Sequence, residues 1–317
     1  MSTNNTTNTT PLIRASLYST MIQETLKDNL LGMKLAMDVS DFGDGTTLNI
    51  PSIGDVIVRD AAEDVAVVYD AIDTGNFQLT ITDFISSANS VSRKFKQDSH
   101  VAQSLYAAIP RLHLRALMER FETRLFAVAN AAQTAAAANA VNGQAHRIAG
   151  SGASGKLALV DLAKIKASLD KANNPSNSRV MFIDPLAEYD LNVLTNITNV
   201  SNNPKFEGIV TQGFAKDMRF LHNIYGVDIY TSNRLPDISS ETVNSVAVSS
   251  GKAAIAMCVA DPDTMPMAQA WRMQPNTDGE YNKDLFQDEF VTRCRFGLGV
   301  KRKESLMVLI HNTTAVV

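Results

Sequence analysis

The sequence predicts an α+β fold, because three kinds of pattern follow one another along the chain. Polar and apolar residues alternate between residues 46 and 81, which is the period of half-buried strands. Apolar residues then recur every three to five positions from residue 97 to residue 138, which indicates a long helix. Beyond residue 142 helical and strand patterns take turns, and from residue 253 onward the chain is mostly β.

Composition fits a globular protein. The chain has 317 residues, of which 45% are hydrophobic and 20% charged, enough for one large or two modest cores. Its two cysteines, Cys258 and Cys294, are too few for a disulfide framework or a thiolate zinc site. No run of about 18 apolar residues could span a bilayer, and residues 1–10 are unlike a secretion signal, so we expect no membrane partner.

The charge is unevenly distributed. Residues 38–90 hold ten carboxylates and one basic residue, Arg59, a net charge of −9. The whole chain carries −4, which leaves +5 for the remainder. Such a separation favours contact between the unlike regions, within one subunit or across two. A solvated acidic face explains the same composition equally well.

The first ninety residues predict an arm and a ribbon. Residues 1–10 are polar, and apolar positions from residue 12 to residue 35 then indicate a helix, so residues 1–37 form an N-terminal arm. Strand patterns at residues 46–50, 56–58 and 77–81, punctuated by glycine and proline, predict an extended β-hairpin loop over residues 38–90. An isolated ribbon is marginal in water, so we expect it to lie on a neighbouring subunit.

The helical pattern predicts one long helix within residues 91–141. Pro110 falls inside it, so we expect a kink or a restart there, since proline removes one hydrogen bond and crowds the preceding turn. The alanine-rich end, residues 127–140, permits close approach to a neighbour, although an exposed helix end would have the same composition.

Residues 142–252 predict a compact α/β unit, and residues 253–317 a return of β-strands. Asp184 and Pro185 suit the start of a helix, because Asp accepts from free amides and proline loses nothing in the first turn. The other predicted helices lie at residues 157–172 and about 211–222, and the strands at residues 179–183, 226–231, 253–259, 268–273, 289–296 and 306–310.

One segment imitates a phosphate-binding loop. Residues 150–156 (GSGASGK) have two glycines followed by Lys156, ahead of a helical pattern. However, Leu157 stands where a magnesium-binding hydroxyl is required, and residues 142–147 do not have the pattern of a strand. A nucleotide-binding enzyme that uses Lys156 is therefore only an alternative.

No other pattern predicts chemistry, so we expect no enzyme, catalytic residue, cofactor or metal site. The five histidines lack metal-ligand spacing. The acids Asp38, Asp41 and Asp44 do not match a calcium loop. A basic cluster could contact nucleic acid, form a polar face of strands, or receive the acidic hairpin. Its members are Arg293, Arg295, Lys301, Arg302 and Lys303.

Residues 225–236 (YGVDIYTSNRLP) resemble a signature of the major capsid proteins of tailed double-stranded-DNA bacteriophages, in which a short strand ending in tyrosine runs into Ser-Asn-x-Leu-Pro. Four further segments are similar and occur in the same order: residues 46–51, 115–126, 180–185 and 295–300. The resemblance implies the Hong-Kong-97-like phage capsid fold. Its parts would be an N-arm (1–37), an extended β-hairpin loop (38–90), a spine helix (91–141), an α/β axial domain (142–252) and a β-rich peripheral domain completed by residues 253–317.

The resemblance also implies a function. Such proteins self-assemble as hexamers and pentamers into an icosahedral head, which encloses double-stranded DNA through weak non-specific contact. We then expect separate scaffolding and portal proteins, assembly in the host cytoplasm and a place in the virion. Residues 38–90 contain no lysine, so covalent cross-linking through this loop is not expected. An encapsulating nanocompartment shell protein, which shares the fold and packages protein cargo, is the alternative.

Overall fold

The computed structural model describes residues 34–40, 45–54, 58–60, 63–64, 66, 69–72, 74–99, 102–134, 140–193, 220–243 and 245–313. Most of the predicted arm (residues 1–33) and residues 211–219 of one predicted helix therefore lie outside the described residues. Within the described residues, no helix combines the length and the apolar character needed to cross a membrane.

The elements of the first half of the chain are β1 (Ala36–Asp38), β2 (Thr47–Ile53), β3 (Thr74–Thr80), β4 (Asp83–Ser92), α1 (Arg93–Asp98), α2 (Ala102–Ala132), β5 (Ala140–Val141), β6 (Gln144–Ala145), β7 (Arg147–Ala149), α3 (Leu159–Lys171) and β8 (Arg179–Ile183). The second half contains α4 (Pro185–Val193), β9 (Phe220–Ile224), β10 (Val227–Thr231), β11 (Asp237–Val243), β12 (Val246–Cys258), β13 (Met267–Asn282), β14 (Gln287–Val300) and β15 (Leu306–Asn312).

A long antiparallel pair, β13 and β14, forms the centre of a four-stranded sheet with the order β1–β13–β14–β4. The strands predicted at residues 268–273 and 289–296 are parts of this pair. Strand β4 was not predicted, because its serine-rich sequence has little strand propensity of its own. Its ten residues are held by antiparallel pairing with β14 instead.

Helix α2 is the predicted spine, 31 residues or about 46 Å long. Pro110 lies inside it, so the predicted restart at this residue is wrong, whereas the alternative of a kink stays a prediction. The break occurs earlier, at Ser99, which ends α1 with its amide bonded to the carbonyl of Phe95. The predicted helix to residue 138 is also too long, since α2 ends at Ala132.

A seven-stranded sheet forms the second body, with the order β7–β15–β12–β8–β10–β9 and β11 on β12. Leucines and isoleucines of α3 and α4 pack on one face, against β8, β10, β12 and β15. Leu125, Phe126 and Ala129 of α2 pack on the other face, against Phe182 and Met257. The spine helix therefore closes a three-layer sandwich at its C-terminal end.

Strands β12 and β15 belong to this large sheet, because they pair with each other and β12 pairs with β8. The boundary predicted between residues 252 and 253 therefore falls within one strand, β12. Between β12 and β15 the chain leaves the large sheet, forms the β13–β14 pair of the four-stranded sheet, and then returns to the large sheet. The five-part division of the chain into assembly domains stays a prediction.

The local elements around β8 match their predictions. Strand β8 has the predicted bounds, and α4 begins at Pro185 with the amide of Leu186 donating to Asp184 Oδ2 at 3.0 Å. The helix predicted at about residues 211–222 is wrong for its last three residues, which begin β9. They pair with β10 across a turn, so a tertiary partner overrides the helical pattern.

Candidate functional site

The loop that resembles a phosphate-binding site is occupied by the protein itself. The amides of Ser151 and Ala158 donate to Asp161 Oδ2 at 2.8 and 3.1 Å, and the Asp161 side chain is fully buried. Lys156 Nζ lies 3.0 Å from Asp190 Oδ1. An internal carboxylate thus takes the amides that would hold a phosphate, and Lys156 has its own acid. The geometry gives no support to nucleotide binding.

A strand does precede this loop, contrary to the prediction. Strand β7 lies directly ahead of Gly150 and pairs in parallel with β15. Three residues are too few for a recognisable period, so β7 depends on its distant partner. The loop itself is tightly folded, because a Cβ on Gly150 would lie 2.5 Å from the carbonyl oxygen of Lys156.

The histidines with described side chains are structural and lie apart. His113, in α2, bonds Thr292 Oγ1 through Nδ1 and Asn89 Oδ1 through Nε2, both at 3.1 Å. His146 contacts backbone oxygens, and His311 is fully buried in β15. Burial lowers the pKa of His113 and of His311. No group of three or more His, Cys, Asp or Glu side chains among the described residues could hold a metal ion.

Both cysteines are free and buried. Burial raises the pKa of the Cys294 thiol to about 11, so this thiol stays protonated near neutral pH. Cys258 lies near the carbonyl oxygens of Pro175 and Asn177. Their buried positions in β14 and β12 give them packing roles.

The predicted hairpin is present, and its outer part is exposed. Strands β2 and β3 pair antiparallel from Thr47↔Thr80 to Ile53↔Thr74. Every described residue from 54 to 76 is exposed. The strand predicted at residues 56–58 is wrong for Val58, which lies outside any strand, and residues 55–57 lie outside the described residues. We name strands β2 and β3 and the segment that joins them the extended hairpin.

The basic side chains do not form one patch. Arg293 pairs with Asp278 at 2.8 Å, whereas Lys301 lies 3.4 Å from Asp263. The length of β14 between residues 293 and 300 separates these groups by about 23 Å. The predicted five-residue cluster is therefore two groups. The spine helix also exposes arginines: Arg120 and Arg124 lie one turn apart.

An exposed apolar cluster, which we call the distal tip, lies where β13 turns into β14 beside α1. Leu285 and Phe286 are 63% and 68% exposed. The Arg93 amide donates to the Phe286 carbonyl at 3.0 Å, and its guanidinium stacks 4.2 Å from the centre of the Tyr281 ring. Exposed apolar clusters of this kind are typical of interaction surfaces. The distal tip was not predicted, because only the tertiary structure brings α1 to this turn.

The distal tip is anchored to the start of the spine helix by a partly buried acid–phenol contact. Tyr106 donates to Asp288 Oδ2 at 2.6 Å, and Lys96 lies 3.1 Å from the same oxygen. Burial and the bond to Asp288 raise the pKa of Tyr106 to about 12, while the bonds from Tyr106 and Lys96 lower the pKa of Asp288. Helix α2 is thereby fixed to β14 at its N-terminal end.

The segment of residues 225–236 acts as a joint between the large sheet and α2. Tyr225 and Gly226 both have positive φ, 55° and 82°, as in the two-residue turns that join hairpin strands. Ser232 then donates to Glu122 of α2 at 3.4 Å, and Leu235 is buried against the same helix. This sequence motif thus has a structural role rather than a chemical one.

Arg147 forms a second joint. Its guanidinium donates to both carboxylate oxygens of Glu241 at 2.6 Å, and its Nη1 donates to Asn130 Oδ1 at 2.9 Å and to the carbonyl of Gln133 at 3.0 Å. Gln133 in turn donates to the carbonyl oxygens of Lys303 and of Leu306, the first residue of β15. A cation at the C-terminal end of α2 is also favourable for the helix dipole.

Together these features define a structural protein: two sheets held on one spine helix, with a protruding ribbon and an exposed apolar tip. Comparisons with known proteins agree with this class. The family described as phage capsid protein matches residues 78–307. The chain therefore belongs to the phage capsid protein family, and it is a major capsid protein that forms the head shell. The match includes all of α2 and the joint at residues 225–236.

Solved phage structures share the fold over nearly the whole chain. A structure from Mycobacterium phage Che8 is 18% identical, with a TM-score of 0.63, and 94% of this chain and 97% of that chain are covered. The capsid structure of cyanophage P-SCSP1u is 16% identical, with a TM-score of 0.72 and coverages of 98% and 96%. The capsid of Ralstonia phage GP4 is 9% identical, with a TM-score of 0.67 and full coverage of both chains.

These similarities confirm the predicted Hong-Kong-97-like α+β fold. They also confirm the predicted resemblance to the major capsid proteins of tailed bacteriophages. A search of curated protein sequences gives no match. The family also identifies the protein as a virion component.

Proposed function

We propose that this protein self-assembles as hexamers and pentamers into a closed icosahedral head around double-stranded DNA. The extended hairpin is the observation that carries the proposal. It leaves the body of the subunit, and its described residues from 54 to 76 are all exposed. A two-stranded ribbon has little stability in water, so it needs a partner surface.

The outer hairpin has apolar side chains to bury. Val58 is 91% exposed, Tyr69 93% and Ile72 64%. Fully burying one side chain of this size contributes about 1.5–3 kcal/mol. The hairpin is locally ordered for such a contact, because Arg59 donates two hydrogen bonds of 2.9 Å to the Asp70 carboxylate. A neighbouring copy of this chain would supply the missing surface.

Charge supports the same contact. The acidic hairpin and a basic surface of the next subunit would form a heterologous contact, the kind that generates rings and closed shells. Arg120 and Arg124 of the spine helix and the group at Lys301 are two basic surfaces that suit it. This contact would reinforce the shell without covalent cross-links, since residues 38–90 contain no lysine.

The enclosed DNA and the other assembly proteins would be the remaining partners. A net charge of −4 suits an inner surface that encloses DNA with weak, non-specific contacts, because strong phosphate contacts would hinder packaging and release. Separate scaffolding and portal proteins would direct assembly in the host cytoplasm. An enzymatic role forms no part of the proposal.

Electron microscopy of the full chain, both purified alone and as particles from infected cells, tests the proposal. Closed shells of head size that contain nuclease-protected DNA after infection would support it. Small uniform cages that hold protein cargo would indicate a nanocompartment instead. Discrete oligomers that never close would contradict both, and nucleotide binding that is lost in Lys156→Ala would revive the enzyme alternative.

A further inference from the structure

The segment of residues 295–300 (RFGLGV) lies in β14, at the base of the extended hairpin. Its two glycines, Gly297 and Gly299, occupy one face of the strand, and they pair with Ala270 and Ala268 of β13. On the opposite face of β14, Phe296 packs against Phe121 of α2. We call the four small residues the hairpin seat: Ala268, Ala270, Gly297 and Gly299.

The base of the extended hairpin lies directly on the hairpin seat. Leu79 and Ile81 are buried against Ala268 and Ala270. A Cβ on Gly297 would lie only 2.6 Å from the carbonyl oxygen of Thr80 and 2.9 Å from Ile81 Cα. At such distances the backbone has to shift, because rotation of a side chain cannot relieve the clash. The chain of β3 therefore lies as close to β14 as a glycine permits.

At Gly299 the close contacts are with side chains instead. A Cβ there would lie 2.9 Å from Leu79 Cδ1 and 3.0 Å from Phe77 Cζ. Neither glycine has a left-handed φ, so backbone conformation does not require glycine at either position. Glycine in a strand interior costs stability unless another backbone approaches it closely, and here one does.

Because this contact lies at the base of the extended hairpin, a small change there displaces the outer end of the hairpin by several ångströms. Strand β3 runs outward from Thr80 to Thr74, about 20 Å, before the exposed segment begins. A tilt of about 10° at the seat would move Thr74 by about 3.5 Å, enough to break the contacts of a docked side chain. The hairpin direction is thus decided where β3 meets Gly297.

We propose that Gly297 and Gly299 are positioning residues for assembly, because they set the direction in which the extended hairpin leaves its subunit and reaches the next copy. This inference rests on the proposed self-assembly. A side chain at residue 297 lifts the hairpin off the hairpin seat and misdirects it, while the two sheets and the spine helix stay folded.

Gly297→Ala and Gly279→Ala in the full chain form a matched pair of variants for this inference. Gly279 lies in the same sheet, but a Cβ there would lie 3.5 Å from the Phe290 ring and 3.9 Å from the carbonyl oxygen of Glu289, which are ordinary contact distances. We expect the control to form shells as the wild type does, and Gly297→Ala to give about tenfold fewer closed shells, or open and irregular ones, by electron microscopy. Circular dichroism should show the same helix and strand content in both variants.

Hydrogen exchange supplies a direct readout of the hairpin. The amide of Ile81 donates to the carbonyl of Thr46 at 2.8 Å, at the point where the chain crosses the seat. Peptides that cover residues 74–81 should exchange faster in Gly297→Ala than in Gly279→Ala, whereas peptides from α2 should not change. Normal shells and unchanged exchange in Gly297→Ala would overturn the inference.

Gly299→Ala covers the case in which Gly297→Ala does not fold. Its clash involves flexible side chains, so we expect a folded subunit with reduced shell yield. Leu79→Val, which removes the clashing Cδ1 atom, should restore part of that yield in the double variant. Normal assembly of Gly299→Ala, or failure of Leu79→Val to restore any yield, would contradict the positioning role. If the wild type and Gly279→Ala form no shells, the proposed function itself fails.

Discussion

Buried polar side chains decide which apparent motifs of this sequence are chemical and which are structural. Asp161 is the clearest case, because it turns a phosphate-loop pattern into a self-contained turn ahead of α3. His113 is a second case, since it joins α2 to β4 and β14 through neutral hydrogen-bond partners. In both, the polar group is satisfied by the protein and is not directed toward a ligand.

Asp161→Ala should lower the free energy of unfolding of the subunit by about 1–3 kcal/mol, because the amides of Ser151 and Ala158 lose their acceptor. Urea unfolding of unassembled subunits measures it. Asp263→Ala is the control: this carboxylate is 86% exposed and pairs with Lys301 at the surface, so its removal should cost less than about 0.5 kcal/mol. Equal losses in the two variants would contradict the role of Asp161.

His113 predicts a dependence of stability on pH. Its ordinary pKa is 6.5, and burial lowers the pKa in the folded protein. Below about pH 6.5 the unfolded chain therefore binds the proton more readily than the folded protein does. Its contribution to stability is thus complete above pH 6.5 and is lost as the pH falls toward the folded pKa. Between about pH 7.5 and pH 5.5, His113→Gln should lose less unfolding free energy than the wild type. His311 is present in both proteins, and an identical loss would refute the prediction.

Among the helices and strands, α2 carries the connection between the two sheets. Its central part lies on β14 and β13, and its C-terminal part covers the large sheet. Three polar joints reinforce this packing: Tyr106 with Asp288, Ser232 with Glu122, and Arg147 with Asn130. The helix is therefore a strut along which the two sheets keep their places.

Arg147→Lys should destabilise the subunit by about 2 kcal/mol, although the charge is kept. Lysine cannot supply the two parallel bonds to Glu241 together with the bonds to Asn130 and Gln133. Thermal and urea unfolding measure the change. Arg293→Lys, at an ion pair whose side chains are about half exposed, is the matched control and should change little. An unchanged free energy of unfolding in Arg147→Lys would show that this joint does not hold α2.

At the scale of the whole molecule, the uneven distribution of charge predicts a contact between copies, in which the acidic hairpin of one subunit lies on a basic surface of the next. If the extended hairpin docks partly by electrostatics, shells should dissociate more readily in about 1 M salt than in about 0.1 M salt, since the screening length falls from about 10 Å to about 3 Å. The triple variant Asp60→Asn, Glu63→Gln and Asp64→Asn should weaken the shell at low salt and reduce this dependence. Light scattering across a salt series follows the dissociation.

A control with equal loss of charge separates the hairpin from the overall charge. Asp98→Asn, Glu280→Gln and Asp284→Asn remove three exposed carboxylates elsewhere and should leave the salt dependence as in the wild type. Shells of the wild type that are indifferent to salt would rule out the electrostatic part of the docking. The apolar part, through residues such as Tyr69, would then have to carry the contact.

Much of the proposed assembly surface could be predicted from sequence, but not its connections. The exposed hairpin followed from alternation and glycine punctuation, and its acidity from counting. The distal tip and the hairpin seat could not be predicted, because Phe286 meets α1 and Gly297 meets Thr80 only after β14 has paired with β4 and β13. The basic cluster looked continuous along the chain, yet an extended strand separates its members.

By itself, the sequence determined the elements whose causes are local: β8, the Asp184 cap with Pro185, the hairpin of β2 and β3, and the helical period of α2. The tertiary structure alone decided β4, the break at Ser99, the return of β12 and β15 to one sheet, and the internal partner of the Lys156 loop. The physical reason is the range of the interactions. Periodicity and capping act within a few residues, whereas strand pairing and the satisfaction of buried polar groups depend on partners more distant in the chain.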